Sequence, residues 1–141
     1  MNRSITVEST IHFRQRGRGS RKVIHSGEAP APTQRQPGRV PRVARLMALA
    51  IRFDEHIRAG VVTDYAELAR LAHVSRARIT QIMNLLMLAP DIQEAILFLP
   101  RTEHGRDRIH LRQLQPIAIV PDWRKQRKFW RDLTAATAPG R

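Results

Sequence analysis

No cysteine occurs among the 141 residues, which excludes disulfides and thiolate metal centres and fits a reducing compartment. Aromatic side chains make up only 5%, so a core has to come from Leu, Ile, Val, Met and Ala. Acidic residues are scarce, 12 against 25 Lys and Arg. No apolar run reaches the roughly 18 residues that a bilayer-spanning helix needs. The opening MNRSITVEST has no apolar centre of the kind a secretory leader carries, so a cytoplasmic location and no membrane partner are expected. Catalytic signatures are missing too. No glycine-rich phosphate loop precedes a helix, and no carboxylate pair or Ser/His/Asp set is evident. The single Tyr65 precedes His110-Leu111-Arg112, the wrong order for a tyrosine recombinase. His104, Asp107 and His110 match no common helical spacing for metal ligands. Neither catalysis nor a cofactor nor a metal is expected.

What the chain has is positive charge, and its placement is informative. Residues 1–45 hold ten Lys/Arg against two acids, residues 46–100 hold five against six, and residues 101–141 hold ten against four, within a net charge of +13. A nearly neutral middle is flanked by two basic arms. Such clusters suit a polyanion, because neutralising phosphates releases condensed counterions. Arg far outnumbers Lys, as suits bidentate contacts to phosphate or guanine.

Four segments are expected. Residues 1–26 read as a basic β-hairpin arm, with β-branched runs at 4–13 and 23–25 around a tip bearing Arg14, Arg16, Arg18, Arg21 and Lys22. Gly17-Arg18-Gly19 is similar to the centre of an AT-hook, but has Gly19 where that motif has Pro. The arm is expected to grip backbone or minor groove, against the plain alternative of a solvated basic loop. Residues 27–40 are rich in proline and read as an extended linker. Residues 41–100 read as a helical core. Its first helix has Pro41 at the opening position, a stripe through Val43, Leu46, Met47, Ala50, Phe53 or Asp54, and Ile57, and a stop at Gly60. Residues 101–141 read as a loop, a short helix over 111–119, and a basic helix over 122–133 with Trp123, Gln126, Trp130 and Leu133 on one side.

The centre of the chain is residues 64–84, DYAELARLAHVSRARITQIMN. Ala66, Leu68, Ala69, Leu71 and Ala72 give one short helix an apolar side. Ile79, Ile82, Met83 and Leu86 do so for a second helix, at i, i+3, i+4 and i+7. Ala72-His73-Val74-Ser75 leaves room only for a tight turn. Ser75 can cap the second helix, and Asp64 with Glu67 can cap the first. With the apolar side inward, Arg76, Ala77, Thr80, Gln81 and Asn84 point outward. That face carries no acid, and Arg, Gln, Asn and Thr are side chains that pair with base edges. A helix-turn-helix entering the DNA major groove is the functional reading, and an ordinary surface helix is the bland one. The second helix is expected to continue through Leu85-Leu86-Met87-Leu88, and Pro90 to start the next.

On these residues, 64–97 resembles the central helix-turn-helix of ParB/KorB-type partition proteins and their smaller relatives. Ala69, Ile79 and Ile82 fall on its small and apolar positions. Ser75, Arg76, Ala77, Thr80, Gln81 and Asn84 fall on those that face DNA in such proteins, and His73 replaces the glycine usual in the turn. The paired-arginine motif of the family's nucleotide-binding domain is missing, so the resemblance implies DNA binding and not a CTP-driven clamp.

The expected protein is therefore mainly α, a helix-turn-helix in a small helical bundle, with an N-terminal β-hairpin and basic arms. Its expected partner is double-stranded DNA in the nucleoid. Arg76, Ala77, Thr80, Gln81 and Asn84 would read bases, and Ser75 and Arg78 would touch backbone. Sequence-indifferent DNA or RNA binding by the arms is the alternative. A homodimer is a hypothesis, since such proteins commonly pair on near-palindromic sites. A recombinase or another DNA-acting protein is a second partner hypothesis. Regulation, partition and recombination all use such a module.

Overall fold

The computed structural model describes residues 8–15, 22–31 and 37–139. They fall in two units, divided between Gln36 and Pro37.

In the first unit, β1 (Ile11–Gln15) pairs antiparallel with β2 (Lys22–Ser26), in the register Phe13 to Ile24 and Gln15 to Lys22. The hairpin expected from the sequence is there, but its strands reach further toward the tip. Arg14 and Lys22 thus lie within strands. The rest of the basic tip, Arg16, Arg18 and Arg21, lies outside the described residues. His12 and His25 sit opposite one another with stacked rings, centroids 5.5 Å apart, and His12 Nδ1 is 3.0 Å from the Gly27 carbonyl.

The second unit contains six helices among its described residues: α1 (Arg42–Arg58), α2 (Tyr65–Leu71), α3 (Arg76–Met83), α4 (Pro90–Leu97), α5 (Leu111–Ala118) and α6 (Trp123–Thr137), with a 3-10 turn at Asn84–Met87. One core runs through it. Val43, Met47 and Ala50 of α1 meet Leu68 and Ala69 of α2, Ile79, Ile82 and Met83 of α3, and Ile92 and Ile96 of α4. Leu114, Ile117 and Ala118 of α5 belong to the same cluster, and Trp130 and Leu133 of α6 pack against it. Residues 101–139 are therefore part of the same packed unit as 41–100 rather than an appended arm. The apolar face of α5 has too little surface of its own to bury and completes the core laid down by α1 to α4.

Three local expectations are corrected. Pro41 precedes α1 instead of opening it, and no side chain of its own caps the helix. The cap comes from Asp107, whose Oδ2 accepts from the Arg42 backbone N–H at 2.8 Å. The far end of the proline-rich stretch is tied down, since Arg39 and Thr102 exchange two backbone hydrogen bonds of 3.0 and 2.9 Å. Gly38 lies against that strap at φ 88°, where a Cβ would come within 3.0 Å of the Thr102 carbonyl oxygen. Finally, α3 stops at Met83 and tightens into the 3-10 turn. Three residues per turn put Leu85 and Leu88 on one side, and both are buried while Met87 is exposed. A continued α-helix would have spread the apolar run of four around its circumference.

Helix α1 ends as its glycine implies. Gly60 has φ 72°, Val61 N–H donates to the His56 carbonyl at 3.0 Å, and Gly60 N–H to that of Ile57 at 3.1 Å. Asp54, the polar flaw in the α1 stripe, is half-buried and pairs with Arg58 at 2.7 Å. Arg127 of α6 binds both carboxylate oxygens of Asp91, 2.9 and 3.1 Å away, in the first turn of α4. That contact holds the Asp91 carboxyl below its ordinary range.

Candidate nucleic-acid interface

The angle between α2 and α3 is set by a turn with both ends fastened. Asp64 Oδ1 accepts from Glu67 N–H at 2.8 Å and caps α2. Glu67 reaches back one residue further than expected, to the backbone N–H of Thr63 at 2.8 Å and to its hydroxyl. The hydroxyl contact, then the backbone one, then nearby Arg70, hold its carboxyl below the ordinary range. At the other end His73 adopts φ 53°, the left-handed conformation that glycine usually supplies. Val74 N–H donates to the Ala69 carbonyl at 3.1 Å and His73 N–H to that of Arg70 at 3.4 Å, the two bonds that close a helix on a left-handed residue. Ser75 then caps α3, its Oγ accepting from Arg78 N–H at 3.1 Å.

From this turn α3 projects with Ile79, Ile82 and Met83 buried. Arg76, Ala77, Thr80 and Gln81 are exposed, and the first turn holds no acid. Thr80 spends its hydroxyl proton on the Arg76 carbonyl at 3.1 Å, which leaves its methyl and oxygen lone pairs to a ligand. Arg78 is half-buried, with Nη1 3.5 Å from Gln81 Oε1.

Asn84 departs from the expected outward face. It begins the 3-10 turn, is half-buried, and donates through Nδ2 to Gln115 Oε1 at 3.2 Å. The tightening of the chain beyond Met83 carries it round toward α5, so four side chains, not five, form the outer face. Gln115, unmarked in the sequence, holds this end. Nothing in its local pattern sets it apart from other polar helix positions, because its partners lie more than thirty residues away.

No family model, characterised protein or solved structure matches this chain.

The partners of two further groups escaped sequence reasoning. Gln126 is 1% exposed, and its carboxamide accepts from Ala89 N–H at 2.8 Å while donating to the Met87 and Val120 carbonyls at 3.1 and 2.7 Å. It satisfies the backbone left open where the 3-10 turn meets α4. Asp107 belongs to no metal cluster among the described residues. Its oxygens are taken by Arg42 N–H, by the Thr102 hydroxyl at 2.8 Å and by Arg39 at 3.1 Å.

Of the arm residues, Arg14 lies in β1 opposite Val23, and Lys22 opens β2 and is exposed. Among the described residues no helix is long and apolar enough to cross a membrane.

Proposed function

We propose that the chain is a sequence-specific double-stranded DNA-binding protein that lays α3 in the major groove, as a regulator, partition protein or recombination accessory factor. One observation carries this reading: a short helix, fixed by a turn capped at both ends, exposes Arg76, Ala77, Thr80 and Gln81 with no acid among them. Arginine and glutamine can each make paired hydrogen bonds to a purine edge, while Ala77 and the Thr80 methyl suit the thymine methyl. Ser75 and Arg78, at the start of the helix, are suited to backbone phosphate. The likeness of 64–97 to the ParB/KorB-type module supports the same assignment, without that family's nucleotide-driven clamp. The net charge of +13 supplies attraction to any nucleic acid, and this favours the second reading, sequence-indifferent binding through the basic arms.

Selecting bound oligonucleotides from a random duplex pool separates the two. Specific readout yields an enriched site at which Gln81→Ala costs about 1–3 kcal/mol, with little loss on unrelated duplexes. An unenriched pool, or a Gln81→Ala protein with unchanged preference, leaves only the sequence-indifferent reading.

A further inference from the structure

Two hollows of about 500 and 250 Å³ share part of their walls and together form a crevice, the smaller one beside the start of α3. Arg39, Arg42, Arg45 and Arg106 line the larger one, Arg78 and Arg112 the smaller, and Arg42, Leu46 and His110 are common to both. The six arginines come from the strap before α1, from α1 itself, from α3, from the 101–110 loop and from α5, so only the tertiary fold gathers them. Asp107 is the one acid in the lining, and Arg39 already answers its charge at 3.1 Å. Among the described residues no carboxylate pairs with Arg42, Arg45, Arg78, Arg106 or Arg112. Such a gathering of guanidinium groups without carboxylate partners is electrostatically unfavourable without an anion between them. The first turns of α1, α3 and α5 also border the smaller hollow, through Arg42, Arg78 and Arg112, and add the positive ends of three helices to the field.

We infer that this crevice is a phosphodiester-binding site, which grips the backbone of the same duplex whose groove α3 enters. The inference rests on the groove reading for the identity of the polyanion. It moves part of the phosphate contact from the N-terminal arm to the body of the helical unit. Because Arg78 belongs both to α3 and to the crevice wall, a strand seated there lies against the start of α3. Arginine suits the task, since its planar fork binds two phosphate oxygens at once.

The test is the salt dependence of affinity, measured by fluorescence anisotropy on the selected site, on an unrelated duplex and on a single-stranded RNA. The double variant Arg42→Gln/Arg112→Gln is compared with Arg52→Gln/Arg124→Gln, which removes equal charge from exposed positions outside the crevice. Loss of two phosphate contacts makes the slope of log affinity against log salt shallower by about two on both duplexes. The ratio between site and non-site stays unchanged, and so does the slope of the control. An unchanged slope in the crevice variant, or an equal change in the control, overturns the proposal, as does a loss seen on single-stranded RNA alone. The groove reading fails separately: the crevice variant then loses slope while Gln81→Ala leaves preference intact. All four substituted side chains are on the surface, and a thermal melt of each variant verifies folding.

Discussion

The side-chain amide of Gln115 donates to the Gln81 backbone carbonyl at 2.8 Å, which fastens the last turn of α3 to α5. The same carboxamide accepts from Asn84 at 3.2 Å. One side chain thus holds both the end of the exposed helix and the point where the chain tightens. The position of α3 is set at two places, by the capped turn before it and by this clamp after it.

Gln115→Ala removes both bonds. It is expected to lower stability by about 1–2 kcal/mol, the net worth of two partly exposed hydrogen bonds. Amide hydrogen exchange would show faster exchange at 83–87 with α1 unaffected. Uniform protection across both segments would mean that the clamp has no local role.

Gln126→Leu keeps the volume but leaves the Ala89 N–H and the Met87 and Val120 carbonyls without their partner. Buried polar groups so abandoned make this a severe change, about 2–4 kcal/mol in urea denaturation. A loss below that of an ordinary surface substitution would show that these groups find other partners.

His73 tests the turn. Glycine accepts φ 53° without steric cost but loses more chain entropy on folding, so His73→Gly should change stability by less than about 1 kcal/mol, in the favourable direction. His73→Val, β-branched in a left-handed conformation, should lower it by about 1–2 kcal/mol. Calorimetry of the pair checks the order, and a valine variant as stable as the glycine one contradicts this backbone geometry.

Asp107 makes an acid-side prediction. Its carboxyl lies below the ordinary value of 3.8, first because the Arg42 backbone N–H donates to it, then through the Thr102 hydroxyl and the Arg39 guanidinium. A lowered folded-state pKa gives stability that is complete above the unfolded value and is lost as pH falls through the folded one. Wild type should exceed Asp107→Asn in stability at neutral pH, and the gap should close below pH 3.8. A gap independent of pH would mean that the charge on Asp107 contributes nothing.

The sequence by itself determined most of the elements and several of their ends. Ser75, Asp64 and Gly60 mark helix ends through bonds made within a few residues, Pro90 does so through its fixed φ and missing N–H, and the periods of Ile79, Ile82, Met83 and of Ile92, Ile96 fix the inward faces. Each signal is local, and local backbone chemistry is legible in order along the chain. Tertiary structure alone decided that Asp107 caps a helix 65 residues earlier, that Gln115 turns Asn84 away from the outer face, that Gln126 holds the backbone of Met87, Ala89 and Val120, and that six arginines from scattered segments line one crevice. These depend on which surfaces meet when the apolar faces close together, and a polar side chain shows nothing of its distant partner in the residues beside it.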